Sequence, residues 1–124
     1  MRDGAVAVRG GRIAHVGPAA EVRAAAPDLT VADLGGDLLL PGLVDAHTHL
    51  EWSLLEGLLP PGDFAAWLGR LLPMRARMTA SDHLAAARYG ALQALRHGTT
   101  TLADLGPVGA GAAALAESGQ RGLV

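Results

Sequence analysis

The sequence contains no cysteine and no lysine. Without cysteine there is neither a disulfide nor a thiolate metal site, so any bound metal must be held by histidine and carboxylate. Without lysine, neither a Schiff base nor a carboxylated lysine can form among these 124 residues, whose ten basic side chains are all arginine. Aromatics are nearly as scarce. Trp52, Phe64, Trp67 and Tyr89 make up 3% of a chain that is 50% hydrophobic, so a core must be built mainly from Ala, Leu and Val. The net charge of -2 is spread without a basic or acidic run, which points away from a nucleic-acid surface and from a polybasic membrane contact. Long apolar runs are missing too. Residues 1–11 alternate charged and small apolar side chains, unlike a secretory signal, and the apolar stretch 38–44 is broken by Pro41 and Gly42, far short of a membrane span. The expected setting is the cytoplasm. The expected partners are a small-molecule substrate, no nucleic acid, no membrane and, for a full-length parent, a second copy in a homodimer.

What is present is organised by glycine and proline. Residues 4–8 and 12–17 read as two short strands joined at Arg9-Gly10-Gly11, where glycine supplies the positive φ of a tight hairpin. Residues 19–26 make a short helical turn between Pro18 and Pro27, and 31–34 with 37–40 read as another strand pair around Gly35-Gly36. The period then changes. An extended run at 43–49 leads into an apolar loop ending at Pro60-Pro61-Gly62. Asp63 caps a helix whose apolar face is Phe64, Trp67, Leu68, Leu71 and Leu72. A second helix runs from Thr79 or Ser81 to His97, with Leu84, Ala87, Ala91, Leu92 and Leu95 on one face and Gly98 at the position after its end. A β-branched strand at 99–104, a small-residue helix at 109–118 and the start of a strand at 122–124 follow. From residue 43 the order is strand, helix, helix, strand, helix, strand, the alternation that builds a parallel sheet.

The segment that carries chemistry is Asp45-Ala46-His47-Thr48-His49-Leu50-Glu51. Residues two apart in a strand project to one face, so His47 and His49 can converge on one cation at about 2.0–2.1 Å per Zn–N bond. Asp45 shares that face, as does Glu51 if the strand continues, and an Asp accepting from a far ring nitrogen would fix the tautomer of a histidine. Val44 and Ala46 point the other way, under an expected helix layer. A His-x-His tripeptide alone is a weak signal. It gains weight here from its place after Pro41-Gly42, at the end of an apolar strand and behind a β-rich lead-in.

The run from Leu40 through Pro41, Gly42, Leu43, Val44, Asp45, Ala46, His47 and Thr48 to His49 resembles the first-strand signature of the amidohydrolase superfamily. It is most similar to the branch of cytosine, guanine, S-adenosylhomocysteine and aminodeoxyfutalosine deaminases and triazine chlorohydrolases. Residues 10–17 resemble that family's strand pair in a small β-sandwich, and 98–104 its second barrel strand. His49-Leu50-Glu51-Trp52-Ser53 is similar to a shorter motif of the aminodeoxyfutalosine deaminase-like group. The resemblance implies an α/β fold: a partial (β/α)8 TIM barrel over residues 41–124, preceded by part of a β-sandwich over 1–40. It implies a divalent metal, zinc first and iron second, that activates water to attack an sp² carbon and expel ammonia or another leaving group. His47 and His49 are its implied ligands. The family completes its site with a His on strand five, a His on strand six, an Asp on strand eight and a proton-shuttling Glu. None of these maps onto this sequence, and a barrel takes about 250 residues. The expectation is an N-terminal fragment of such an enzyme, inactive by itself and with no catalytic acid or base of its own.

Other residues carry lesser expectations. Glu51, Trp52 and Ser53 follow the ligands directly and are candidates to touch substrate, against a plain loop contact for Glu51 and Ser53 and plain packing for Trp52 and Trp67. His15 is expected on the surface, His83 solvated at a helix start and His97 at a helix end, where the dipole favours a cation. Asp104 is expected to cap the turn after its strand rather than orient a site residue. The leading function is metal-dependent hydrolysis of a non-peptide C–N bond, as in deamination of an aminated purine or similar heterocycle. A chlorohydrolase or cyclic-amide hydrolase of the same superfamily is the first alternative. A cupin-like module would want Glu four or five residues after the second His, where Ser53 and Leu54 stand. A metallo-β-lactamase would want Asp and His at Glu51 and Trp52. A non-catalytic remnant with an open sheet edge is the third class.

Overall fold

A computed structural model describes residues 1–124, which fall into two compact units, Met1–Leu39 and Leu40–Val124. In the first, β1 (Gly4–Arg9) pairs antiparallel with β2 (Arg12–Pro18), Val6 opposite Val16, and the two positions of the turn are Gly10 and Gly11 at φ 58° and 73°. Pro18 starts helix α1 (Ala19–Ala25), whose Val22 is buried with Ala7 and Ala26. Arg9 donates to both carboxylate oxygens of Asp28 at 2.9 and 2.8 Å. The expected strand pair at 31–34 and 37–40 is not formed. A turn exists there, with Gly35 N–H on Asp33 Oδ1 at 2.9 Å and Asp37 N–H on the Leu34 carbonyl at 3.2 Å, but no ladder extends from it. Val31, Leu34, Leu38, Leu39 and Leu40 are all exposed, so this ribbon has no buried face, and a two-stranded ribbon without one is not stable in water.

The second unit is a three-stranded parallel sheet in the order β3 (Leu43–Thr48), β4 (Thr99–Asp104), β5 (Arg121–Leu123). Three helices join the strands: α2 (Phe64–Arg75) and α3 (Ala80–Arg96) between β3 and β4, and α4 (Ala110–Ser118) between β4 and β5. The mixed α/β class and the parallel strands agree with the alternation in the sequence. Asp63 accepts from Ala66 N–H at 3.0 Å to begin α2. Thr79 and Asp82 bond each other's backbone N–H at 3.2 and 2.8 Å to begin α3, a reciprocal cap. Past the end of β3 the chain does not stay extended. It turns into a 3-10 helix, Leu50–Leu55, which the sequence pattern does not announce.

The core of this unit is Leu50, Ala87, Ala91, Leu102, Ala114 and Leu115. Leu102 lies on the central strand, so it meets the helices that cover one face of the sheet. Of the expected α3 face, Ala87 and Ala91 are buried and Leu84 and Leu95 partly buried, while Leu92 is exposed; His83, Ala86 and Gly90 complete the buried side. Small residues won that face because the 3-10 helix lies hard against it. Val44, expected under a helix layer, is 69% exposed. Phe64 is also exposed, and of the α2 face only Leu71 is buried. No helix is long and apolar enough to cross a membrane.

Across the surface of this unit, Arg88 clamps Glu117 with two bonds of 2.7 Å, joining α3 to α4. That hydrogen bonding holds the Glu117 carboxyl below its ordinary range, as Arg9 does for Asp28 and the Thr79 backbone for Asp82. Depressed carboxylates stabilise the fold above their ordinary range and cease to do so as pH falls through their folded values. All three are exposed, so solvent screening keeps the effect small.

Two helix glycines should respond in opposite directions. A Cβ on Gly90 would collide with Ser53 Oγ and lie 3.2 Å from a Leu50 methyl, whereas a Cβ on Gly69 meets nothing. Gly69→Ala is therefore expected to raise stability by up to about 1 kcal/mol. Gly90→Ala is expected to lower it by about 1–3 kcal/mol despite the same helix propensity. Paired urea denaturation curves check this; equal shifts of one sign would contradict the packing described here.

Candidate metal centre

His47 and His49 leave the sheet at the carboxyl end of β3, where a parallel strand delivers its last side chains to one rim. His47 lies in the strand and is exposed. His49 lies one residue beyond it, at φ −132° and ψ 69°, and is half-buried. Their ring centroids are 5.1 Å apart and nearly perpendicular. His49 Nδ1 stands 3.1 Å from the Leu105 carbonyl, an acceptor only, so Nδ1 carries the hydrogen and donates. That leaves the Nε2 lone pair free, the form in which a neutral imidazole ligates a metal. The other face of the arrangement is aromatic. The Trp52 ring stacks on His49 at 4.1 Å and 12°, and the Arg75 guanidinium stands 5.4 Å from the Trp52 centroid.

The expected helper Asp45 does something else. Its Oδ1 accepts from the backbone N–H of His47 at 3.1 Å, steadying the strand rather than an imidazole ring. Glu51 does not extend the ligand face either, because the chain has already turned into the 3-10 helix. It is wholly buried. Its Oε1 accepts from Ala110 N–H at 2.6 Å and its Oε2 from Val108 N–H at 3.1 Å. Helix α4 has Gly109 at its N-cap, with no side chain to satisfy those donors, so a carboxylate from 59 positions earlier caps it instead. Ser53 is half-buried and packs on Gly90 of α3. Of the three substrate candidates, only Trp52 lies against a candidate ligand.

His83, expected in solvent, is 6% exposed. Its Nδ1 is 3.8 Å from Glu51 Oε2, too far for a hydrogen bond, and has no other partner. The helical spacing 83, 87, 90, 91 puts it on the same face as Ala87 and Ala91, a signal present in the sequence. Asp104 is 3% exposed and does not cap the turn that follows its own strand. Its Oδ1 accepts from Leu50 N–H at 2.8 Å and Thr48 Oγ1 at 3.2 Å, reaching across to the exit of β3. Strand alternation gives that away as well, since Asp104 shares a face with buried Leu102. His15 is exposed, and His97 ends α3 with Nδ1 2.8 Å from the Gln93 carbonyl, both as expected.

As a donor set, these residues fit part of a zinc site. Two imidazole nitrogens from adjacent alternate positions, one with its tautomer fixed by a carbonyl, are ligands of the right type. No group of three or more His, Asp or Glu side chains in the chain is arranged to hold a metal ion. The chain therefore offers two nitrogen ligands and a structured rim around them.

The amidohydrolase family matches residues 38–123, and an imidazolonepropionase-like composite domain of bacteria matches residues 4–28. A 5-methylthioadenosine/S-adenosylhomocysteine deaminase of Nitratidesulfovibrio vulgaris is 38% identical over 106 residues, which is 85% of this chain and 24% of that protein. A 5'-deoxyadenosine deaminase of Methanococcoides burtonii is 36% identical over 104 residues, 83% of this chain and 23% of that protein. A crystal structure of an adenosine deaminase from Xanthomonas campestris with bound zinc superposes with a TM-score of 0.73 at 27% identity, covering 100% of this chain and 29% of that one. The chain thus spans about a quarter of the length of these relatives.

The new position of Glu51 yields a test. Glu51→Ala strands two backbone donors at the start of α4 and is expected to cost about 2–4 kcal/mol. Glu51→Gln keeps one acceptor oxygen but turns an amide toward a backbone N–H, and about 1–3 kcal/mol is expected. Chemical denaturation of both variants checks this; a loss below about 0.5 kcal/mol, the level of an ordinary surface change, would contradict the capping role.

Proposed function

The chain belongs to the amidohydrolase family, and on that premise we propose that it supplies the first strands of a zinc-dependent deaminase acting on the 6-amino group of an adenine nucleoside. In this reading residues 41–124 are the opening strands and helices of a (β/α)8 barrel, and residues 1–40 are part of a β-sandwich subdomain. His47 and His49 are two of the metal ligands. Zinc, when bound, would polarise a water so that it can attack the aminated carbon of the ring.

The observation that carries the reading is the placement of His47 and His49 at the carboxyl end of a parallel strand, with Nδ1 of His49 engaged by the Leu105 carbonyl. In barrels of this kind the carboxyl rim is where chemistry is done. Hydrolysis of the C–N bond is supported by the deaminases among the relatives, which also favour it over dechlorination or cyclic-amide opening. An adenine nucleoside is supported by the adenosine-type substrates in their names, and zinc by the ion in the Xanthomonas campestris enzyme. This chain's own contribution would be to present two imidazoles in a fixed geometry and to offer the flat Trp52 ring beside them as one wall. Ser53 and Glu51 would act beneath that wall as packing and as the cap of α4. The substrate is a small molecule, the setting cytoplasmic and the assembly a homodimer.

The test is metal content by plasma emission together with ammonia release from adenosine, 5'-deoxyadenosine, 5'-methylthioadenosine and S-adenosylhomocysteine, on the protein as its gene encodes it. His47→Ala and His49→Ala should each lose the metal, and lose rate beyond the roughly 10–100-fold that removal of an outer partner costs. His15→Gln and His97→Gln should keep both. Retention of metal and rate by His47→Ala, with loss in His15→Gln or His97→Gln, would sink the reading.

A further inference from the structure

The segment that carries His49 is held from outside by one side chain that no strand pairing requires. Asp104, at the end of β4, is buried, and its Oδ1 accepts from the residues on either side of His49: Leu50 N–H at 2.8 Å and Thr48 Oγ1 at 3.2 Å, a hydroxyl shared with the Ala103 carbonyl at 3.3 Å. The next residue completes a ring of bonds. Leu105 N–H donates to the Thr48 carbonyl at 2.9 Å, and the Leu105 carbonyl stands 3.1 Å from His49 Nδ1. His49 is thus gripped by a two-residue clip, carboxylate on its backbone neighbours and carbonyl on its ring.

The fold makes room for that carboxylate. A Cβ on Gly111 would collide with Asp104 Oδ2, and one on Gly106 would fall 2.9 Å from the same oxygen and 2.7 Å from Glu51 Oε1. Asp104 Oδ2 itself is buried without a partner. A buried carboxylate oxygen left unpaired is costly, and a merely structural position would do better with an apolar side chain. The arrangement makes sense if the fixed acceptor at Oδ1 is what is needed.

We propose that Asp104 is a positioning residue for His49: it fixes the Thr48–Leu50 backbone so that the Leu105 carbonyl takes the Nδ1 hydrogen and Nε2 is presented to a metal. The metal half of that statement rests on the function proposed above; the tautomer half does not. Asp104 touches neither metal nor substrate, and its effect passes through Leu50, Thr48 and Leu105.

The experiment is long-range proton–nitrogen correlation on the imidazole rings of the nitrogen-15-labelled, metal-free chain at about pH 8, above the ordinary histidine range. In the wild type, His49 is expected almost wholly in the Nδ1–H form. Asp104→Ala should lower that population to less than about half, because the hydrogen bond that selects the tautomer is no longer held in register. Asp104→Asn keeps an acceptor at the Oδ1 position, so it should retain the wild-type tautomer. If Asp104→Ala does not fold, Thr48→Val removes one of the two donors and should give a smaller shift of the same sign. The proposal is overturned if folded Asp104→Ala, or Thr48→Val in its place, keeps the wild-type tautomer. It is equally overturned if Asp104→Asn loses it. Zinc titration of the same samples separates the two readings. A tautomer shift with about 10–100-fold weaker zinc binding supports both. A tautomer shift with no zinc-dependent change at His47 or His49 in any sample leaves the positioning role standing and removes the metal.

Discussion

A buried carboxylate must be given hydrogen-bond donors, and in this chain that constraint ties the sheet, the helices and the candidate site into one unit. Two carboxylates, Asp104 and Glu51, are buried side by side against Gly106, and each holds a segment other than its own. Asp104, from the end of β4, holds the exit of β3 through Leu50 and Thr48. Glu51, from just past the exit of β3, holds the start of α4 through Val108 and Ala110. The exit of β3 is therefore held by a side chain from β4, and the start of α4 by a side chain from the 3-10 helix.

Much of the surrounding composition follows from that crossing. Gly106 and Gly111 leave the volume that the two carboxylates fill, and Gly90 lets the 3-10 helix that carries Glu51 approach α3. The core is correspondingly small-grained: Ala87, Ala91 and Ala114 around Leu50, Leu102 and Leu115. A sequence with so few aromatic side chains can afford this only by close approach of backbones, which is what alanine and glycine permit. At the rim, the same crossing leaves His49 facing Leu105 and Trp52, with His47 beside it.

The parts of this that could be read from the sequence are those set by local chemistry. The Gly10-Gly11 hairpin, the Asp63 and Thr79 helix starts, the Gly98 helix end and the strand–helix alternation all depend on neighbours in the chain. The closeness of the His47 and His49 rings, 5.1 Å between centroids, was legible for the same reason. What was not legible depends on partners far along the chain. Glu51 read as a strand residue beside the ligands because nothing local announces the 3-10 turn, and its donors lie 57 and 59 positions away. On α3, Ala87 and Ala91 go in as the pattern expects, but Leu92 stays out and Ala86 and Gly90 go in, because packing partners, not hydropathy alone, choose which side is buried. Asp104 and His83 are intermediate. Strand alternation from Leu102 and helical spacing from Ala87 and Ala91 both place them inward, but charged and polar residues are ordinarily assigned to solvent. The 31–40 ribbon failed for the opposite reason: its turn chemistry was right, but its apolar side chains are left uncovered.

The central claim is that His47 and His49, and no other histidines of this chain, present their ring nitrogens to one cation. Sub-stoichiometric Co²⁺ added to the isotope-labelled chain tests it directly, since a paramagnetic ion perturbs most strongly the nuclei nearest to it. The largest perturbations are expected at His47 and His49, followed by the Trp52 ring stacked on His49, with His15, His83 and His97 unaffected. Perturbations centred on any of those three, or spread evenly over all five histidines, would contradict the account.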